Sequence, residues 1–89
     1  MKKKDFNPVL QATYLEVVDN QLKANDPPET RQTYERLKSQ GYNDRDARIL
    51  VASAIAAETY YIMRDGTPFN QERFLRNLNR LPDQSFDEE

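Results

Sequence analysis

The sequence predicts an all-α fold: a compact, irregular or orthogonal bundle of four helices around a long central third helix. Three observations carry that expectation. The chain has only two glycines and five prolines in 89 residues, too little turn chemistry for many short strands. Apolar residues recur at three- and four-residue spacing along most of the chain. Each periodic stretch is bounded by residues that start or stop helices.

The first helix is expected over residues 8–24. Asn7 and Pro8 supply an amide cap and a proline at the first helical position, where its missing N–H costs nothing. Leu10, Tyr14, Val17, Val18 and Leu22 form one stripe, which ends near Asn25. A second helix follows over 27–40. Asp26 is placed to cap it, with Glu29 three residues on in the reciprocal position of a capping box. Its apolar face is thin, Tyr34 and Leu37 with the methyl groups of Thr30 and Thr33, so packing must hold it.

The stretch SQGYNDRDAR, residues 39–48, reads as a joint between helices. Gly41 can take the left-handed conformation that ends a helix, and Tyr42 then reaches back toward Leu37. Asn43 caps the third helix, with Asp44 and Asp46 at the positive end of its dipole. A calcium loop would need a glycine after the acidic cluster and a distant glutamate, whereas ARILVA enters a helix at once.

The third helix, over 44–65, is apolar round most of its circumference. Ala47, Leu50, Val51, Ala54, Ile55 and Ile62 mark one side, and Ile49, Ala52, Ala56 and Met63 another. Such a helix is central, or is covered in part by a second chain. Gly66 ends it. The fourth helix, over 71–81, starts at the cap Asn70, with Phe69 and Phe74 spaced for a hydrophobic staple. Phe74, Leu75, Leu78 and Leu81 form its buried stripe, and Pro82 stops it. Residues 7–82 thus make one domain, between a basic disordered start (1–6) and an acidic tail (83–89) that Phe86 can tack down.

Composition removes most catalytic chemistry. With no cysteine and no histidine, the chain has no thiolate, no Ser-His or Cys-His pair, no usual zinc site and no proton shuttle near neutral pH. Glycine-rich phosphate loops and dinucleotide fingerprints are absent. No enzyme activity and no cofactor are expected. The net charge of −2 sets up no global field toward nucleic acid or membrane. After MKKK comes DFNPVLQATYLEVVDN, too polar for a signal peptide. The longest apolar run, ILVASAIAA, falls short of the roughly 18 residues a membrane span requires. A soluble, cytoplasmic protein is expected.

Three groups of residues stand out as candidate contacts. Glu58 interrupts the apolar side of the third helix, where a carboxylate is costly unless paired. It is either a ligand or partner contact with a raised pKa, or the mate of Arg31, Arg36, Arg73 or a tyrosine hydroxyl. Tyr60 and Tyr61 adjoin it, about 100° apart on the helix, and suit either a wet-edged core or an interface. Arg73, Arg76 and Arg80 form a short basic strip that can meet phosphates or an acidic partner, or that simply faces solvent. The expected function is a non-enzymatic protein–protein interaction module, with self-association as one form. The alternatives are nucleic-acid binding by the arginine strip and a small-ligand site at Glu58.

Two stretches carry resemblances. The span from Asp26 to Asp83, with DPPE, TYERL, the glycine-aromatic turn, PFNQERF and LNRLP, resembles small bacterial proteins grouped as a domain of unknown function. That implies a helical cytoplasmic bacterial domain and no site residues. Residues 37–51, LKSQGYNDRDARILV, are similar to the first two helices of ubiquitin-associated-type domains. This second resemblance implies partner binding through Gly41 and Tyr42.

Overall fold

The computed structural model describes residues 8–86, with side chains from residue 11 onward. The cap assigned to Asn7, the side chain of Leu10, the basic start and residues 87–89 lie outside the described residues. Four helices follow in order: α1 (Pro8–Ala24), α2 (Pro28–Ser39), α3 (Asp44–Asp65) and α4 (Gln71–Arg80). No strand occurs among the described residues, and no described helix is long and apolar enough to cross a membrane.

Helix α3 is the organising element, because it packs against α1, α2 and α4. Its inner side, Ala47, Val51, Ala54, Ile55, Glu58 and Tyr61, is buried. Val18 from α1, Leu37 from α2, and Phe74 and Leu78 from α4 close the core with Leu81. α2 touches α1 and α4 as well, whereas among the described residues the backbones of α1 and α4 do not approach closely, and a cleft runs between them over α3.

The helix boundaries follow local chemistry. α1 and α2 end in the same way. Asn25, at φ 53° and one residue past α1, and Gly41, at φ 106° and two residues past α2, take positive φ. The next N–H in each case reaches back five residues, from Asp26 to the Gln21 carbonyl (3.1 Å) and from Tyr42 to the Leu37 carbonyl (3.1 Å). This is a Schellman closure, which satisfies carbonyls the helix itself leaves open. Asn43 caps α3 by accepting the Asp46 N–H at 2.7 Å, and Gly66, at φ 66°, ends it. At α4, Asn70 accepts the Arg73 N–H at 3.0 Å, and the Phe69 and Phe74 rings lie 5.7 Å apart as the expected staple.

Four expectations need correction. Asp26 does not cap α2: the helix starts at Pro28, the cap position is Pro27, and no side chain bonds there. The two prolines have already removed two of the N–H groups a cap would serve, and Asp26 is one residue too early to reach the rest. The far end of α2 stops at Ser39, one residue short of the expected bound. α4 stops at Arg80, and Leu81 turns inward to fill the core. Arg73 does not belong to a solvent-facing strip, as only 5% of its surface is exposed. Beside it, Asn77 is fully buried as well.

The outer side of α3 is less covered. Ala52 is buried, but Ile49, Ser53 and Ala56 are half-exposed, and Tyr60 and Met63 are 59% and 78% exposed. Beyond Leu81 the chain returns along this helix, with Gln84 and Phe86 beside Ser53, Ala56 and Ala57. Phe86 is half-buried and packs against the core.

Candidate functional site

The inner side of α3 carries one carboxylate, Glu58, and it is 2% exposed. α4 brings Arg73 to it from fifteen positions downstream. The pair is bidentate: Arg73 Nε–H donates to Glu58 Oε1 at 2.8 Å and Nη2–H to Oε2 at 2.6 Å. A third donor, the Asn70 N–H, reaches Oε2 at 2.9 Å. The Arg73 guanidinium also lies over the Tyr61 ring, 4.9 Å from its centre.

These contacts close a loop of three residues. Asn70 caps Arg73 through its side chain, Arg73 binds Glu58 through its guanidinium, and Glu58 takes the backbone N–H of Asn70. In a capping box the third residue of the helix returns to the cap N–H. In α4 that residue is arginine, so a glutamate on another helix takes the task. The start of α4 is thereby fixed to the middle of α3.

Electrostatics follow the geometry. Burial pushes the Glu58 carboxyl up, but the Arg73 hydrogen bonds, the Asn70 N–H and the nearby positive charge together hold it below the usual carboxylate range. The same hydrogen bonds raise Arg73. A carboxylate held in its charged form with three donors on it is a poor proton acceptor or donor near neutral pH. Among the described residues, no buried side-chain nitrogen or oxygen lacks a hydrogen-bond partner, and no three acidic side chains converge where a metal ion would sit.

The candidate residues therefore separate. Glu58, Tyr61 and Arg73 come together in the interior, with Tyr61 6% exposed. Tyr60 points outward, its ring edge-on to Tyr61 at 5.8 Å and under the Arg64 guanidinium at 5.7 Å. Arg76 is half-buried and Arg80 exposed, so the strip loses its first member to the core. The other two arginines offered as mates for Glu58 close helix ends instead. Arg31 donates to the Leu22 carbonyl of α1 at 2.7 Å. Arg36 donates to the Leu81 and Leu78 carbonyls, at 2.7 and 3.0 Å, around the C-terminal end of α4.

Around GYNDRD the acidic side chains are engaged within the protein. Asp44 accepts the Tyr34 hydroxyl and Arg48 Nε–H, and Arg48 also pairs with Asp19 on α1 at 3.2 Å. This network joins three helices on the surface.

The cleft between α1 and α4 has a volume of about 250 Å³. Tyr14, Val17, Ile55, Ile62, Phe69 and Phe74 line it, and Glu58 reaches its wall with both oxygens already bonded. Comparison with protein-family models, curated proteins and solved structures finds no match to this chain.

Proposed function

We propose that this chain is a non-enzymatic protein–protein interaction module whose contact surface is the outer side of α3. The observation that carries the reading is the exposure of Tyr60 and Met63, one turn apart on the side opposite the core. Large apolar side chains presented together on a rigid helix are the usual anchors of an interface. Glu58 supports the reading from the other direction: its carboxylate is consumed in holding α4, which leaves it little chemistry for a substrate.

A photo-crosslinking residue placed at Met63 in the cells the protein comes from tests this. The expected result is a light-dependent adduct that disappears when Tyr60 is also changed to glutamate. The same residue at Gln32, exposed on α2, gives none. Equal labelling from Met63 and Gln32 would remove α3 as the contact surface.

A further inference from the structure

The outer side of α3 is patterned in a way that selects its occupant. Ile49, Ser53, Ala56, Tyr60 and Met63 alternate four- and three-residue steps, the spacing of a helix–helix seam. The two halves of this seam differ in shape. The C-terminal half projects Tyr60 and Met63 into solvent. Two recesses lie beside the rest of the seam, one at its middle and one toward its N-terminal end. One, of about 400 Å³, lies between Ser53, Ala56, Ala57, Gln84 and Phe86. The other, of about 240 Å³, lies between Tyr42, Asp46, Ile49, Leu50 and Gln84.

We propose that a second copy of this chain packs antiparallel along this seam, Tyr60 and Met63 of each copy entering the two recesses of the other. The proposal rests on the outer side of α3 being an interaction surface and names the partner. The register follows from the helix rise. With Ala56 at the two-fold axis, Met63 lies about 10 Å to one side and Ile49 about 10 Å to the other, so each Met63 meets the recess at Ile49. Tyr60, about 6 Å from the axis, meets the recess at Ser53, about 4.5 Å away on the far side. A parallel pair would set projection against projection and recess against recess. The antiparallel pair uses the same surface twice, as a two-fold interface requires.

Charge fits the same arrangement. Asp44 and Asp46 occupy the first turn of α3 and Arg64 the last. Antiparallel pairing brings Asp46 of each copy near Arg64 of the other, on the edge of the seam that both share. Arg64 is now paired with its neighbour Asp65 at 2.8 Å on the surface, a contact it can exchange at little cost. The small residues Ser53 and Ala56 allow the two helices to come close at the axis.

Light scattering on the purified full chain, from about 1 to 100 μM, is expected to show the mass of two chains, dissociating on dilution. Tyr60→Glu with Met63→Glu should weaken association about a hundredfold, because each charge would be buried without a partner. Both side chains are exposed in the single chain, so the circular dichroism of the variant should stay helical. Register is read by Ala56→Cys, which supplies the only thiol of the chain. A short bismaleimide should join the two copies at that position, whereas Gln32→Cys should give no linked product. A single-chain mass throughout, a dimer indifferent to the two glutamates, or a dimer that Ala56→Cys does not link would each overturn the proposal. A single-chain mass together with a Met63 adduct to a different protein in cells would remove self-pairing and leave the interaction module standing.

Discussion

At the scale of single residues, Glu58 and Arg73 decide most. Each is an oddity alone: a carboxylate on the apolar side of a helix, and an arginine where a capping box puts glutamate. Together they satisfy each other, and removing one leaves a buried charge. Glu58→Gln should therefore cost about 3 kcal/mol in chemical denaturation at pH 7, since the amide nitrogen faces donors. The joint change Glu58→Leu with Arg73→Met should recover much of that loss, because the cost lies in the unmatched charge. The pH dependence has a definite sign. Folding lowers the Glu58 pKa, so its contribution is present above the unfolded value of about 4.3 and is lost as pH falls through the folded one. Wild type and Glu58→Gln should thus converge in stability as denaturant titrations move from neutral pH into the acid range.

At the scale of elements, each helix terminates where local chemistry allows, and tertiary packing then chooses among the allowed options. Gly41 shows the local part. It takes φ 106°, where L side chains are strained, while the space around its α-carbon is open. Gly41→Ala should cost about 1 to 2 kcal/mol through the backbone alone, read as a lower denaturant midpoint with an unchanged slope. Asn25 takes the same role at the end of α1, helped by an amide side chain that tolerates positive φ. α2 shows the packing part. Without a side-chain cap, it is held by Leu37, by Thr30 and Thr33 in the core, and by the Thr30 hydroxyl donating to Gln21 of α1 at 2.7 Å. Arg36 then ties it to the end of α4. Arg36→Met keeps the stem but leaves the Leu78 and Leu81 carbonyls without that donor, and a loss of about 1 to 2 kcal/mol is expected in the same assay.

For the whole molecule, the contact of α3 with every other helix has a thermodynamic consequence. No helix can leave without exposing part of the core on α3, so unfolding should be cooperative. Heating followed by far-ultraviolet circular dichroism, for the helices, and by tyrosine fluorescence, for the packing, should give coincident transitions. Two separated transitions would mean that one helix detaches first. The outer side of α3 is the exception to this closure: the three other helices cover its inner half, and the returning C-terminal segment covers one edge.

The order and approximate span of the helices, the caps at Asn43 and Asn70, the stops at Gly41 and Gly66 and the Phe69–Phe74 staple were all legible in sequence. They depend on residues at most five positions apart, and such distances are fixed by the helix itself. The partner of Glu58 was not fixed by sequence. Three arginines were within the range of possibility, and only the packing of α4 against α3 assigned Arg73 to the carboxylate, Arg31 to α1 and Arg36 to the end of α4. Spacing alone put Arg73, Arg76 and Arg80 on one strip, because spacing says which residues share a face and not which face is turned inward. Likewise the sequence marked α3 as apolar nearly all round, but which of its sides would stay open depended on where three short helices came to rest. Local chemistry wrote the elements, and the docking of one helix on another, across chain separations that no periodic pattern encodes, decided which charge is buried and which aromatic ring meets water.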